Sequence, residues 1–351
     1  MPVLSLILPV YNVENYLKIC LDSILTALES VPMDESIEII CVDDGSPDRC
    51  GEILESYRAP FTEILPVGRA AYTIIHQTNA GVSTARNTGL KAATGEWIWF
   101  IDSDDSIAPF SLSYLIRALR EHPVDILKFG HQDVDYQTVP FPTATSSLEI
   151  YDLTKDTDRY LVSKDCLAGL LLWHACYRRE AIGEICFLKG IQPSEDTLFA
   201  MQIVSKSTLL ARTHAVLYNY LQRPGSCMKT MNLKQTTSAL TAVRPRYEAI
   251  QKLSRGRDKA FRLLRFKWIR NAMCEILDIM KNLPASEYRQ LFPLYYEIGI
   301  VVFDEFPFYS WIFRTHCLTI VLLFLYFPLK VRALLLRIKF VSWLKTQVRG
   351  Y

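Results

Sequence analysis

Four short apolar runs, each followed by a helical pattern, constrain the fold of the first 130 residues more than any other feature. The runs lie at 3–8, 37–42, 72–76 and 97–101. The helical patterns that follow them lie at 13–28, 49–58, 81–93 and 109–121. Alternating strands and helices favour right-handed βαβ crossovers, which build a mostly parallel sheet with helices on both faces. The predicted fold class is therefore α/β with a Rossmann-like sheet. Further along the chain, the pattern predicts a fifth strand at 126–129, a loop at 137–147, a helical segment at 157–172, a short β unit around 173–187, and a helical, basic region beyond 230.

Polar residues follow three of these strands, at the point where each strand ends: Tyr11-Asn12, Asp43-Asp44 and Asp102–Asp105. Ligands of open parallel sheets bind at the carboxyl ends of the strands. These residues are distant in sequence but share that edge, so we expect them to converge in space. Their shared position is a stronger indication of a site than any one of the motifs.

The acidic motif after the fourth strand has the spacing of a metal site. Asp102, Asp104 and Asp105 follow the apolar run 97–101 directly. Mg²⁺ and Mn²⁺ prefer such hard oxygen ligands and take one or two protein carboxylates together with phosphate oxygens. A solvated turn that caps the helix at 109 explains the D-x-D motif equally well, so both interpretations stay open.

Two further acidic pairs have a functional and a structural interpretation. Asp43-Asp44 precedes helix 49–58, where one acidic residue would suffice for capping and two exceed that need. Glu195-Asp196 heads a predicted helix at 195–204. One of its carboxylates could act as a general base. Spacing alone favours the structural interpretation, because the helix dipole stabilises acidic residues in the first turn of a helix.

Basic and imidazole groups are less specific. Arg86 lies where a loop enters a helix and could approach phosphates, but a salt-bridged helix residue is equally plausible. His76, at a strand end, favours a structural role. Arg223 could clamp a phosphate, although a solvated loop arginine is the simpler interpretation.

Length and charge predict two domains with different surfaces, 1–230 and 231–351. Residues 1–254 carry a net charge of −7 and residues 255–351 a net charge of +9. Residues 315–329 contain no charged side chain, but this run is shorter than the roughly 20 residues that span a bilayer. The basic residues that follow predict contact with an anionic membrane surface, with packing of 315–344 on the core as the alternative. No recognition motif supports nucleic-acid binding.

The nine cysteines are odd in number and form no CxxC motif, which argues against a disulfide framework or a zinc ribbon. Reduced, buried thiols in a cytosolic compartment fit this pattern better. The first ten residues lack a basic segment and do not resemble a signal peptide.

Four segments together resemble family 2 glycosyltransferases. They are LILPVYNVENYLKICLDSIL (6–25), EIICVDDGSPD (38–48), HQTNAGVSTARNTGLKAATGEWIWFIDSDD (76–105) and SEDTLFAMQI (194–203). Their order and spacing match the successive signatures of that family, and the resemblance covers residues 3–226.

The resemblance implies a GT-A fold and an inverting transfer of sugar from a nucleotide-diphospho-sugar, with Mn²⁺ or Mg²⁺ as cofactor. It assigns Asp196 as catalytic base, Asp102 and Asp104 as metal ligands, and a nucleotide site made by several side chains. That nucleotide site comprises Pro9, Tyr11, which would stack on the base, Asp43, Asp44, Arg86 and Asp102.

The expected enzyme is a nonprocessive hexosyltransferase, because the Q-x-x-R-W element of processive synthases and multiple long membrane spans are missing from the sequence. It would use a UDP-sugar and a glycan or lipid-linked acceptor at the cytoplasmic face of a membrane, in surface polysaccharide synthesis. UDP is favoured by family prevalence only. A metal-dependent phosphatase of the haloacid-dehalogenase type and a non-catalytic scaffold are the alternatives.

Overall fold

The structure, a computed structural model, describes the greater part of the chain. The described residues are 2–64, 70–135, 141, 147–167, 172–191, 195–222, 233–253, 259–281 and 283–303. Two compact units divide the chain: Met1–Thr230 with Glu248–Arg257, and Met231–Tyr247 with Asp258–Tyr351. The predicted roles of 1–230 and 231–351 stay predictions.

Nine described strands form one sheet in the first unit. They are β1 (Leu4–Val10), β2 (Ile37–Asp43), β3 (Ala70–His76), β4 (Trp97–Phe100), β5 (Ser106–Ile107), β6 (Ile126–Val134), β7 (Leu148–Asp152), β8 (Ala175–Arg178) and β9 (Leu209–Leu221). The strand order is β3-β2-β1-β4-β8-β6-β9-β5, and β7 pairs with β9 outside this path. The first four strands pair in parallel, while β8, β5 and β7 add antiparallel pairs.

Eight described helices accompany this sheet. They are α1 (Glu14–Leu28), α2 (Cys50–Ser56), α3 (Arg58–Ile64), α4 (Val82–Ala92), α5 (Ser111–Glu121), α6 (Asp156–Leu167), α7 (Arg179–Ile182) and α8 (Glu195–Lys206). A 3₁₀ turn at Leu172–His174 precedes β8.

The alternation of side chains along β1 produces two hydrophobic layers, because successive residues of a strand point to opposite faces. Leu6 and Leu8 pack in a cluster with residues of α1, α3 and α5. Ile7 packs in a second cluster that includes Ala85 of α4 and Phe199 of α8. Helices therefore cover both faces, and the predicted α/β class is confirmed.

The predicted strands and helices of the first 121 residues are present, with three differences. Strand β1 continues through Pro9, which pairs with Val42 of β2. The proline is tolerated inside the strand because the pairing of β1 with β4 has already ended at Ile7. The helix predicted at 49–58 is two helices, α2 and α3. The short strand β5 precedes α5.

The later part of the first unit contains strands that the sequence pattern does not predict. Strand β6 extends five residues past the predicted 126–129, and neither β7 nor β9 is predicted. Helices α6 and α8 confirm the helices predicted at 157–172 and 195–204 over their described residues. Most of the predicted loop at 137–147 lies outside the described residues, as does Arg223.

Three long helices confirm the helical prediction beyond residue 230 for its described part: α9 (Leu233–Leu253), α10 (Lys259–Lys281) and α11 (Ala285–Val302). The hydroxyl of Tyr295 donates a hydrogen bond of 3.1 Å to the carbonyl oxygen of Met273, which joins α11 to α10. Among the helices of the described ranges, none has the length and apolar composition that a bilayer crossing requires. The segment 315–344 lies outside the described residues.

The cysteines that the structure describes are free thiols, as the sequence predicts. Cys20, Cys41, Cys50 and Cys176 are buried, and burial raises the pKa of the Cys41 thiol to about 12. Cys186 is exposed and departs from the expected burial.

Candidate active site

The ends of β2 and β4 lie on either side of the end of β1. The backbone N–H of Asp44 donates to the carbonyl oxygen of Val10 at 2.9 Å, and that of Ile101 donates to Ile7 at 3.0 Å. The parallel register therefore brings the predicted motifs of three strands to one edge of the sheet. The convergence expected from the sequence is what the structure shows.

The carboxylates at the end of β2 are held by neutral donors and one imidazole. Asp44 is only 2% exposed and accepts hydrogen bonds from the backbone N–H groups of Ala80 and Gly81 at 2.9 and 2.8 Å. The side chain of Gln77 donates to the same carboxylate at 2.6 Å. Asp44 thus fixes the loop that leads into α4, and its predicted contact with base or ribose stays a prediction.

Asp43 organises the other side of this turn. Its Oδ1 accepts the backbone N–H of Ser46 at 3.0 Å, and its Oδ2 lies 2.9 Å from Nδ1 of His76. The hydrogen bond with Asp43, against an opposing effect of burial, raises the pKa of His76 above its ordinary value. The structural role that the sequence favours for His76 fits this contact.

Gly45 is required by the shape of the turn that follows the two aspartates. Its φ is +68°, and a Cβ at this position would lie 2.8 Å from the backbone nitrogen of Asn79. Any residue with a side chain would be strained by the left-handed backbone and would also clash with Asn79. Three residues later, Asp48 accepts the backbone N–H groups of Cys50 and Glu14, the first residues of α2 and α1. Asp48 thus holds the first N–H groups of both helices, although the N-cap residue of α2 is Arg49.

Tyr11 is the exposed member of the predicted nucleotide site. It is 48% exposed directly after β1, whereas Pro9 is buried inside the strand. The following residue, Asn12, has a φ of 54°, so the chain turns sharply here. The phenol ring is available for stacking, as its predicted role requires.

The acidic turn after β4 has a different set of partners. Nη2 of Arg86 donates to Oδ1 of Asp102 at 2.9 Å. Asp105 is buried, and its carboxylate accepts the hydroxyl of Tyr218 at 2.7 Å and the backbone N–H of Leu221 at 2.8 Å. Burial, followed by the like charges of Asp104 and Asp102, raises the pKa of Asp105 well above its ordinary value.

Asp104 borders a pocket of about 160 Å³. The pocket is also lined by side chains from the first two turns of α1, from the turn after Asp104 and from the end of β6, among them Asn15, Tyr16, Ser106 and Asp135. Asp104 is half-buried, between the more enclosed Ser103 and Asp105. Of the three acids of the turn, Asp102 and Asp104 are thus the accessible ones.

Arg86 connects this turn to the start of α8. Its guanidinium is 5% exposed, and Nη1 donates to Oε1 of Glu195 at 2.8 Å while Nη2 holds Asp102. Burial opposes its charge, but Asp102 and Glu195 outweigh burial and raise the pKa of Arg86. The salt-bridged interpretation describes this arginine, and its predicted contact with phosphate stays a prediction.

Glu195 and Asp196 differ in their surroundings although they are neighbours. Burial and the like charge of Asp196 raise the pKa of Glu195 to about 7, against the effect of Arg86. Asp196 is half-buried, and its Oδ1 accepts the backbone N–H of Thr197 at 2.6 Å. The buried glutamate anchors the helix start, and the predicted role of the more accessible Asp196 as a base stays a prediction.

The acidic turn fits a hard divalent cation that arrives with a substrate. Among the described residues, no three His, Cys, Asp or Glu side chains are close enough to hold a metal ion by themselves. Sites for Mg²⁺ on nucleotides commonly use only one or two carboxylates and complete the shell with phosphate oxygens and water. Asp102 and Asp104 would hold such an ion, since Arg86 uses only one oxygen of Asp102.

Sequence reasoning misses two contributors to this site, Tyr218 and Gln77. Tyr218 lies on a strand that the pattern does not predict, and its partners are more than 100 residues away. Gln77 directly follows β3 and precedes the loop that Asp44 holds. Its position at a strand end is the sequence signal that could have identified it as a contributor to the site.

Comparison with known proteins identifies the family. The sequence model of Glycosyl transferase family 2 matches residues 5–185. The chain belongs to this family. The acidic turn after β4 lies inside the matched residues, and the start of α8 follows them.

Two relatives illustrate the sequence similarity. The chain is 32% identical over 229 residues to the uncharacterized glycosyltransferase EpsJ of Bacillus subtilis (strain 168), with 64% of this chain and 62% of EpsJ covered. It is 30% identical over 226 residues to the poly(ribitol-phosphate) beta-glucosyltransferase of Bacillus spizizenii, covering 64% of this chain and 33% of that protein. The similarity thus spans less than two thirds of either relative.

Solved structures confirm the GT-A fold. Residues 1–349 of S. aureus TarS, in complex with UDP, have a TM-score of 0.63 at 19% identity, covering 92% of this chain and 90% of that fragment. The mannosyltransferase PcManGT from Pyrobaculum calidifontis, in complex with GDP-Man and Mn²⁺, has a TM-score of 0.51 at 16% identity, covering 93% and 87%. At these identities the likeness is one of fold.

Proposed function

We propose that this glycosyltransferase is inverting, metal-dependent and nonprocessive, and that it transfers a sugar from a UDP-sugar to a glycan or lipid-linked acceptor. The observation that carries the proposal is the bridge made by Arg86. It joins Asp102 of the acidic turn to Glu195, the residue before Asp196. One buried side chain thus ties the expected cation site to the expected base.

The residues of this chain divide the reaction between them. Tyr11 stacks on the base, Asp44 with Asp43 shapes the pocket for base and ribose beside Pro9, and Asp102 and Asp104 hold Mn²⁺ or Mg²⁺. When bound, the cation offsets the negative charge that develops on the leaving diphosphate. Asp196 removes the proton from the attacking hydroxyl of the acceptor.

A single base supports inversion. A direct displacement needs one carboxylate to activate the acceptor, whereas retention through a covalent intermediate needs a second carboxylate as nucleophile. In this proposal the acids of the β4 turn are committed to the cation and to Tyr218, and Glu195 is committed to Arg86. Asp196 is left as the base.

The donor and acceptor classes are supported by the neighbours. TarS binds UDP and PcManGT binds GDP-Man with Mn²⁺, so this fold accommodates nucleotide donors and a divalent ion. One relative is named for glucosylation of poly(ribitol-phosphate). We extend that to a surface polysaccharide or lipid-linked acceptor for this chain. A haloacid-dehalogenase-type phosphatase has no support from the family match.

Calorimetry tests the proposal most simply. UDP, GDP and dTDP are titrated into the protein with and without Mn²⁺, and the titrations are repeated on Asp104→Asn. Asp34→Asn is the matched control, because it removes the same charge from an exposed turn before β2, at the opposite edge of the sheet. We expect Mn²⁺-dependent binding of UDP that Asp104→Asn weakens at least tenfold and Asp34→Asn leaves unchanged. Folded protein that binds no nucleotide would favour a non-catalytic scaffold.

The basic C-terminal segment suggests where the enzyme works. We propose that its cations hold the protein peripherally on the cytoplasmic face of the membrane, through anionic lipid headgroups. Co-sedimentation with phosphatidylglycerol vesicles but not with phosphatidylcholine vesicles is expected. Equal recovery in both supernatants would contradict membrane contact.

A further inference from the structure

The acidic turn after β4 rests on the hydroxyl of Tyr218. This hydroxyl accepts a hydrogen bond from the backbone N–H of Asp102 at 3.1 Å. It also donates a hydrogen bond to Oδ2 of Asp105 at 2.7 Å. The turn itself is closed by the backbone N–H of Asp105, which donates to the carbonyl oxygen of Asp102 at 3.1 Å. One phenol oxygen therefore contacts both ends of the turn that carries Asp104.

The position of this hydroxyl is fixed by packing. Tyr218 is fully buried, and its ring stacks on Trp173 with centroids 4.6 Å apart. Its strand pairs with β5, where Tyr218 lies opposite Ile107, three residues beyond Asp104. The backbone N–H of Leu221 holds the other oxygen of Asp105 at 2.8 Å. A rigid aromatic side chain and a rigid strand thus determine where the acidic turn lies.

We propose that Tyr218, acting with Asp105, is a positioning residue that holds the turn so that Asp102 and Asp104 bind the donor's cation. This inference rests on the proposed metal-dependent transfer. In it, Asp105 is neither a metal ligand nor a base, because both of its oxygens accept hydrogen bonds from β9. Its buried carboxylate locks the turn to the strand, and its neighbours face the substrate.

The chain supplies a matched control two residues further along the same strand. Tyr220 lies on the same face of β9 as Tyr218, and its ring also stacks on Trp173, with centroids 5.0 Å apart. No hydrogen bond joins its hydroxyl to the acidic turn in the described part of the chain. Both rings therefore stack on Trp173, although Tyr220 is only partly buried, and the hydroxyl of Tyr218 is the one that hydrogen-bonds the acidic turn.

Removal of each hydroxyl separates positioning from packing. Tyr218→Phe and Tyr220→Phe are compared with wild type by titrating Mn²⁺ at saturating UDP and recording the Mn²⁺ concentration at half-saturation. Loss of the two hydrogen bonds that this hydroxyl makes at the turn is expected to raise this concentration about fivefold to tenfold in Tyr218→Phe. Excess Mn²⁺ should restore full binding, which a merely unfolded fraction would not allow. Tyr220→Phe should remain within about twofold of wild type.

The outcomes distinguish the inference from the proposed function. Asp105→Asn provides a second variant that disturbs the same contact, and thermal melts define a temperature at which all four proteins are folded. If wild type binds UDP with Mn²⁺ and neither Tyr218→Phe nor Asp105→Asn changes the half-saturating concentration, the inference is wrong. It is also wrong if Tyr220→Phe shifts that concentration equally. If wild type shows no Mn²⁺-dependent binding, the proposed function fails and the inference fails with it.

Discussion

The ends of β2 and β4 are alike in sequence and unlike in structure. Each carries adjacent aspartates after a buried strand, yet Asp44 is held by two backbone N–H groups and an amide. At the end of β4, Asp102 faces the guanidinium of Arg86, and Asp105 faces a tyrosine hydroxyl. At the β2 end, neutral donors fix the geometry of Asp44. At the β4 end, the buried guanidinium of Arg86 compensates the charge of Asp102.

This difference suggests that the two acidic ends have separate tasks. The β2 end shapes a pocket, because its carboxylates organise the loop before α4. The β4 end gathers charge and connects it to α8 through Arg86. In the proposed function, the β2 end recognises the nucleotide, and the β4 end binds the cation and lies beside the base. Each of the following experiments tests that assignment.

The largest effect is expected from Asp196→Asn, at the helix start that Arg86 ties to the β4 end. The amide cannot accept the proton of the acceptor hydroxyl, so the rate of transfer should fall by about 10²–10⁴-fold. UDP release from the UDP-sugar that wild type turns over measures the rate, and calorimetry with UDP should show unchanged donor affinity. A variant that loses UDP affinity instead would place Asp196 in the donor site.

Stability should depend on Arg86 more than on any surface arginine. Arg86→Met leaves the carboxylates of Asp102 and Glu195 without their cation, which should destabilise the fold by about 3–5 kcal/mol. Adding Glu195→Gln should recover part of this loss in urea unfolding. The control is Arg49→Met, whose ion pair with Glu52 is 76% and 74% exposed and should contribute less than about 1 kcal/mol. Equal losses of stability in Arg86→Met and Arg49→Met would contradict the prediction that the buried arginine contributes more.

A smaller loss is expected from Asp44→Asn at the β2 end. The two backbone N–H groups bond different oxygens of Asp44, so an asparagine would present its amide nitrogen to one of them, and an unpaired donor costs about 1–3 kcal/mol. Urea unfolding measures this loss, while the Mn²⁺ dependence of UDP binding should not change. If stability is unaffected and UDP binding is abolished, Asp44 is a direct ligand and not part of the scaffold.

The smallest expected effect is a pH dependence of the free energy of unfolding that arises from His76 at the β2 end. Because the pKa of His76 is raised by Asp43, the folded protein binds this proton more tightly than the unfolded chain. The stabilisation is complete below the unfolded value of 6.5 and is lost as pH rises through the higher folded pKa. The imidazole is 51% exposed, so screening keeps the change under about 1 kcal/mol. Unfolding of His76→Gln should lack this dependence, and an identical pH profile would contradict it.

Local patterns in the sequence predict the scaffold of the site well. The strands β1 to β4 are short apolar runs with punctuation at their ends, and parallel pairing alone places their ends together. Strand β9 is harder to predict, because Arg212 and His214 interrupt its apolar pattern. The edge strand β7 is also missed, since most of its residues are only partly buried.

Partnerships between distant residues could not be predicted. Arg86 and Glu195 are 109 residues apart, and nothing in either motif indicates that they meet. The sequence around Arg86 is equally compatible with a phosphate contact and with a salt bridge. Only the structure shows that its guanidinium contacts Asp102 and Glu195. Likewise, the tie between Tyr218 and Asp105 depends on a strand pairing that becomes visible only in three dimensions.

The central claim is that the β4 end binds the cation and the β2 end does not. Electron paramagnetic resonance of free Mn²⁺ at saturating UDP tests it directly, on wild type, Asp104→Asn and Asp44→Asn. We predict that wild type and Asp44→Asn deplete the free Mn²⁺ signal, and that Asp104→Asn leaves it nearly intact. Depletion by Asp104→Asn as complete as that by wild type, or loss of depletion in Asp44→Asn alone, would contradict the account.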